Sequence, residues 1–404
     1  MLKNKQTSCG LFNKIFQILL QIPFLQNIRS IFYFIDILLL VGLPKPQMCH
    51  IQNKKNVLIV FPFALGDCIL FGASAQYYRQ LYTLEEFDLT FLLPSGCEQL
   101  FAGYADHLVT FDFTKASVNL GYRRKIFKKL REQYYDIVID PYPCIDCTPN
   151  IYMTRAVCAG QKIGFTEVKH KKTQCPTWMR QRIYHLIYSI SEENLHRIVY
   201  YRNVLEILGA ELETMRCMNI PSVKLECKLP QNYFVVFPSA SVDAKKWELE
   251  KYLELIRKIV DQYDIPLVLV GTAKDKQDTD RIIKHFKDVD ITDLVGKTNV
   301  LEYCEVIGKS QFIVTNDTSA YHIAVAKDVK TFLISGGYVF DMFANYPRLE
   351  MNKNQPNVIY KGRACFNCDN YCKYKFKDRY PCVAEIEVED VWKCIRHNLE
   401  EKGE

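Results

Sequence analysis

From residue 56 onward the chain alternates short β-branched or aliphatic runs with longer stretches of helical periodicity, and it does so twice. Strands separated by helices cannot close as hairpins, so they pair in parallel, with the helices covering the sheet faces. The first set of predicted strands is NVLIVFP (56–62), DLTFLL (88–93), HLVTFD (107–112) and DIVID (136–140), with helices over 67–81 and 120–133. A basic stretch from Lys162 to Arg182 breaks the rhythm and reads as including a loop that faces a ligand. A helix over 191–208 follows, ending on Gly209 as its C-cap. The segment 213–232, with Pro221 and Pro230, reads as a connection. Then the rhythm restarts with YFVVFP (233–238), LVLVG (267–271), DITDLVG (290–296), QFIVTN (311–316) and VKTFLIS (329–335), and a last helix spans 387–398. Doubly wound sheets of this kind bind ligands at the carboxyl ends of their strands.

A length of 404 residues with 49% hydrophobic content exceeds one ordinary core and predicts two domains. The net charge of +6 admits anionic partners such as phosphates or a lipid surface. No RNP, zinc-finger or helix-turn-helix pattern accompanies it, so nucleic acid is not an expected partner. Most of the sixteen cysteines stand singly in apolar runs, the usage of a reducing compartment, and the chain is expected in the cytoplasm. Residues 11–43 are strongly apolar but interrupted by Lys14, Pro23, Arg29 and Asp36, leaving no run of the ~20 residues that a spanning helix needs. No small-residue cleavage site follows, so no signal peptide is expected. Two readings stand for this segment: an amphipathic anchor on the inner face of the cytoplasmic membrane, or a helix pair packed on the N-terminal domain.

Three strand-loop-helix junctions carry candidate chemistry. In FPFALGDCILFGAS (61–74), Gly66 permits a tight turn and Asp67 stands at a helix start, as a catalytic carboxylate or as a simple N-cap. In FPSASVDAKKW (237–247), small Ser239 and Ser241 lead to Lys245 and Lys246 at a helix entry, where cations oppose the helix dipole. Diphosphate binding explains that placement, and solvated lysines are the alternative. In the third, QFIVT delivers Asn316, Asp317, Thr318 and Ser319 to a helix start, with His322 one turn further on. Ribose and phosphate contacts suit these residues; capping by Asp317 and Thr318 and a core role for His322 are the alternatives.

In order, spacing and wording these motifs resemble the lipopolysaccharide heptosyltransferases of glycosyltransferase family nine, over roughly residues 56–395. The resemblance implies an α/β GT-B fold: two Rossmann-like βαβ domains facing each other across a cleft, here with an N-terminal apolar helical segment. The corresponding division is 1–50 for that segment, 51–222 for an acceptor domain, 223–385 for a nucleotide-sugar-binding domain and 386–404 for a helix that packs back on the first domain. ALGD (64–67) looks like the family's Leu/Met-Gly-Asp turn, which implies a general base at Asp67. KKW (245–247) is similar to its Lys-x-Trp, so Lys245, ahead of Lys246, inherits contact with the donor phosphates. GKT (296–298) resembles its Gly-Lys-Thr turn near the nucleotide, giving Gly296, Lys297 and Thr298. NDTSAYHIA (316–324) looks like Asn-Asp-Thr-Gly-x-x-His, which binds nucleotide and diphosphate. Ser319 and Ala320 stand in place of the family's Gly-Pro, and SGG (335–337) in place of its Phe-Gly-Pro/Ser, so donor fit departs from the family there.

The resemblance implies inverting, metal-independent transfer of a sugar, heptose first among candidates, from a nucleotide-sugar donor. The acceptor would be a lipid-linked or lipopolysaccharide-core glycan of the cell envelope. No cofactor is required by that chemistry. The alternatives are another GT-B enzyme, such as a nucleotide-sugar epimerase, and a catalytically silent sugar-binding homologue. Near the C-terminus, Cys365, Cys368, Cys372 and Cys382 offer a structural zinc site, with disulfides or free thiols as the other readings. RRKIFKKLR (123–131) and the Lys169–Lys172 cluster read as solvated charge or as a face turned toward a membrane surface.

Overall fold

The structure, a computed structural model, describes residues 26–46, 53–145, 148–167, 175–192, 195–212, 216–349, 352–374 and 378–400. In chain order its main elements begin with α1 (Gln26–Leu40), β1 (Lys55–Val60), α2 (Leu65–Ala75), β2 (Phe87–Pro94), β3 (His107–Phe111), α3 (Leu120–Leu130) and β4 (Tyr134–Pro143). Then come α4 (Pro149–Ala156), β5 (Cys158–Glu167), β6 (Leu186–Ile190), α5 (Arg197–Ile207), β7 (Phe234–Phe237), α6 (Leu249–Tyr263), β8 (Leu267–Leu269) and β9 (Ile291–Asp293). The remainder is β10 (Phe312–Asn316), α7 (Ser319–Ala326), β11 (Lys330–Ile334), β12 (Asn357–Ile359) and α8 (Val388–Glu400).

Two six-stranded sheets result, ordered β3-β2-β1-β4-β5-β6 and β12-β11-β10-β7-β8-β9. Every pairing in both is parallel. Each is the doubly wound order in which the first and fourth strands of the set lie side by side, so each has one topological switch point, between β1 and β4 and between β7 and β10. Central strands covered on both faces need continuous apolar runs, and Val57 to Val60 and Phe234 to Val236 are fully buried.

The chain divides into two compact units. The first holds the described residues up to Pro62, with Tyr82–Ser95 and Asp106–Ser191; the second holds Phe63–Leu81, Gly96–Ala105 and the described residues from 192 onward. This departs from a division at residue 222. Helix α2 packs on α7 and α5, so the turn after β1 and the helix after β6 join the second unit. Helix α8 also departs from expectation. Its Val388, Val391, Trp392 and Ile395 enter the core built by Phe234, Trp247, Tyr252, Ile256 and Phe312 in the second unit. An amphipathic stripe packs wherever a matching apolar surface is available, and α6 supplies it here.

Within the first unit, α1 buries Tyr33 and the carboxylate of Asp36, which pairs with Arg123 at 2.7 Å and with Arg155. Arg124 donates to the carbonyls of Leu39 and Val41 at the helix's end. Of the RRKIFKKLR cations, Arg123 is therefore buried and Arg124 caps a neighbouring helix, while Lys125, Lys128 and Lys129 remain exposed. Helix α1 leaves Phe34, Leu38 and Val41 exposed. Among the described residues no helix is long and apolar enough to cross a membrane. The part of the expected apolar segment before residue 26 and the Lys169–Lys172 cluster lie outside the described residues.

The stretch from Lys162 to Arg182 is not a loop throughout. Its first residues belong to β5, and residues 177–183 form a short helix before β6. β5 escapes recognition because Gly160 and Lys162 interrupt its apolar pattern; the Lys162 side chain is buried with its ammonium donating to the Thr154 carbonyl at 2.8 Å.

Candidate functional site

The candidate site lies in the second unit, built at the switch point of its sheet. The loop after β7 carries Ser239 to Trp247, and the loop after β10 carries Asn316 to Thr318 into α7. Asn316 is fully buried and ties the two loops together: its amide donates to the carbonyls of Pro238 (2.7 Å) and Ser239 (3.2 Å), and its Oδ1 accepts from the Trp247 amide at 3.2 Å. These bonds engage both ends of the side chain, so Asn316 shapes the two loops of the candidate site. Trp247 fixes the far end of the loop by donating its indole N–H to the Ile386 carbonyl at 2.8 Å.

Lys245, so anchored, places its ammonium 3.3 Å from Asp317 Oδ2 and 4.6 Å from the centre of the Tyr338 ring. Asp317 thus pairs with a lysine instead of capping α7, and Thr318, at the N-cap position, makes no capping bond either. Its hydroxyl lies 3.3 Å from that of Thr315. Lys246 diverges from its neighbour, ion-paired with Asp278 (3.1 Å) and Asp243 (3.3 Å). Those carboxylates hold its charge and raise its pKa even against the opposing cost of burial. Lys246 thus stands apart from Asp317, the carboxylate that Lys245 pairs with.

Asp67 stands in the first turn of α2, which lies against α7. Gly66 makes that approach possible. A Cβ on it would sit 3.1 Å from His322 Cδ2 and 3.4 Å from the Ser319 Cα. Burial pushes the Asp67 carboxyl up from 3.8 to about 6. Arg197 and Lys245 act against that rise, in that order, and Asp317 adds to it. The expected base and the expected phosphate contact thus belong to one charge cluster within one compact unit.

The arginine of that cluster is absent from the sequence motifs. Arg197 opens α5, is almost wholly buried, and lies against Tyr200 and Phe343. His322 is buried with Nδ1 3.0 Å from the Tyr346 hydroxyl, and burial lowers it to about 4, so it is neutral near pH 7. Its ring packs against Gly66. His196 lies beside Tyr346, hydrogen-bonded to the Phe343 carbonyl and lowered to about 3.

The remaining expected residues divide. Ser239 is buried, and its hydroxyl finds no partner among the described residues; Ser241 is exposed on the same loop. Gly296 and Lys297 turn out of β9, and Lys297 binds back to the carbonyl (2.7 Å) and carboxylate (3.0 Å) of Asp293, with Thr298 beside it. None of these three is joined to the Asp67 cluster by a hydrogen bond or ion pair among the described residues. The glycines of SGG are required by close packing, since a Cβ on Gly336 would meet Cys382 Sγ at 2.7 Å and one on Gly337 would meet Phe366 at 2.7 Å.

Cys365, Cys368, Cys372 and Cys382 line one small cavity together with Tyr338, and none forms a disulfide. Burial, followed by their mutual proximity, pushes Cys368 up to about 11, and burial likewise raises Cys382. Among the described residues no three His, Cys, Asp or Glu side chains are arranged to hold a metal ion.

The chain belongs to glycosyltransferase family 9, the heptosyltransferases, whose sequence profile matches residues 123–334, just over half of its length. It is similar to lipooligosaccharide heptosyltransferase 2 of Haemophilus influenzae, with 23% identity over 288 residues, covering 67% of this chain and 80% of that relative. Among solved structures, a family 9 glycosyl transferase of Veillonella parvula superposes with a TM-score of 0.62 at 14% identity, covering 89% of this chain and 100% of that one. The E. coli ADP-heptose lps heptosyltransferase II superposes with a TM-score of 0.60 at 17% identity, covering 86% and 100%. These likenesses establish the GT-B fold, and the family sets aside the epimerase and silent-binder readings.

Proposed function

We propose that the protein transfers a sugar from a nucleotide-diphosphate donor to a cell-envelope glycan by single displacement, with inversion at the anomeric carbon and without a catalytic metal. The observation that carries this reading is the cluster of Asp67, Arg197, Lys245 and Asp317. A carboxylate raised to about 6 is ionised at neutral pH yet basic enough to take a proton from an acceptor hydroxyl. As that oxygen bonds to the anomeric carbon, the bond from carbon to the donor phosphate breaks and its electron pair stays on the diphosphate. The Lys245 ammonium, held by Asp317 and the Tyr338 ring, is suited to stabilise that growing charge, and the loop after β7 to seat the phosphates. A fixed cation in that role makes a divalent ion unnecessary. The ADP-heptose named with the E. coli relative is the first donor to test, and a lipopolysaccharide-core or other lipid-linked saccharide is the first acceptor. A lipid-linked acceptor would bring the protein to a membrane surface.

The test is turnover with a panel of nucleotide-sugars in EDTA, beside donor affinity by calorimetry. Asp67→Asn is expected to lower kcat about 10²–10⁴-fold with donor affinity retained, while Lys245→Ala weakens donor binding as well. Unaltered kcat in Asp67→Asn, or activity abolished by EDTA and restored by manganese, would overturn the mechanism.

A further inference from the structure

A second concentration of charge lies in the first unit, where the strands begin, opposite the edge at which such sheets usually bind ligands. There a cavity of about 460 Å³ is lined by Lys45, Arg131, Arg155, Lys162, Arg182 and His185, with no Asp or Glu among its lining residues. Arg131 is fixed by a bond from Nε to the Ala156 carbonyl at 2.9 Å. Arg155 is held by Asp36, a carboxylate that is itself buried and shared with Arg123. Among the described residues, the Lys162 ammonium has only carbonyl partners, Thr154 at 2.8 Å and Arg155 at 3.4 Å. Its burial, together with Arg131 and Arg155, lowers it to about 8. Apart from Asp36 behind Arg155, no carboxylate lines this cavity to match its cations, an arrangement that a bound anion relieves.

The surroundings say which anion. Lys45 follows the end of α1, whose Phe34 (57% exposed), Leu38 (69%) and Val41 (63%) face outward. Phe34 stacks on Trp178, 6.5 Å between ring centres, and Arg182 from the cavity lies 5.3 Å from the Trp178 ring. Exposed apolar side chains are thus continuous with the cation-lined cavity through Trp178 and Arg182, a pairing that suits acyl chains beside a phosphate.

We propose that this cavity seats the phosphate of an anionic phospholipid headgroup, with the outer face of α1 and Trp178 entering the lipid beside it. The assignment is independent of the transfer mechanism, since none of these residues belongs to the Asp67 cluster.

The test is sedimentation of the full chain with phosphatidylcholine vesicles, with and without phosphatidylglycerol. The expected result is binding that depends on phosphatidylglycerol and weakens at least tenfold in Lys45→Glu/Arg182→Glu, two exposed positions whose change spares the core. Lys162→Met should weaken it as well, with the melting temperature of each variant as the folding control. Phe34→Ser/Leu38→Ser should weaken vesicle binding too, and inorganic phosphate at equal concentration should not displace the vesicles. Undiminished dependence on phosphatidylglycerol in the Lys45/Arg182 variant, equal binding to neutral vesicles, or full displacement by inorganic phosphate would each overturn the proposal. Transfer to a soluble acceptor should be the same in the Lys45/Arg182 variant and the native chain, which separates failure of this site from failure of the mechanism.

Discussion

At the scale of residues, the half-buried Asp67 carboxyl is caught between desolvation, which favours its neutral form, and Arg197, the larger of the two cationic influences that favour its charged form. Only the ionised form can accept a proton, so kcat is expected to fall on an acid limb with a midpoint near pH 6. Arg197→Met removes the stronger opposing charge while keeping an apolar contact with Tyr200 and Phe343. The Asp67 pKa then rises further, and the limb moves to higher pH. A pH–rate profile whose acid limb stays in place in Arg197→Met would remove Arg197 from its positioning role. The sequence revealed Asp67 and Lys245 because each sits in a local strand-turn-helix wording that a reader can match. It could not reveal Arg197, which reaches the site through the packing of α5 on α2 and has no motif of its own. Nor could it separate Lys245 from Lys246: adjacent lysines have the same local pattern, and only the positions of Asp317 and Asp278 decide which one is held near the site.

At the scale of elements, the apolar runs fixed most strands of both sheets to within a residue or two, because parallel strands covered on both faces must be apolar throughout. β5, β6 and β12 lacked that signal. In β5 a buried lysine replaces an apolar residue, β6 is an edge strand with Leu186, Ile187 and Tyr188 exposed, and β12 has three residues. Periodicity also gave α2 its apolar character but not its partner, since a helix buried nearly all round fits any apolar neighbour. The partner depends on Gly66, whose missing side chain lets α2 lie against Ser319 and His322. Gly66→Ala must shift His322, or α2 itself, by a few tenths of an ångström. It is expected to cost about 1–3 kcal/mol by overpacking and to lower kcat by displacing Asp67. Urea unfolding and turnover measure the two effects; native kcat would show that α2 can move without carrying Asp67 out of place.

At the scale of the whole molecule, the repeated rhythm announced two doubly wound sheets, but the sequence order hid how the helices are shared. The chain passes between its two compact units at 62/63, 81/82, 95/96, 105/106 and 191/192, so α2, which connects β1 to β2, is a segment of the second unit inserted between strands of the first. Unfolding either unit frees the ends of segments that belong to the other, so their stabilities are expected to be coupled. Asp36→Ala leaves Arg123 and Arg155 buried without their carboxylate in the first unit, a loss of about 3–5 kcal/mol. A nucleoside diphosphate at about one hundred times its Kd, if held as proposed by the loop after β7 in the second unit, adds about 2.7 kcal/mol. In calorimetry both changes should move one and the same transition, the substitution downward and the ligand upward, with the ligand recovering part of what the substitution removes. Two peaks, one moved only by Asp36→Ala and the other only by the nucleotide, would show that the crossings of the chain transmit no stability between the units.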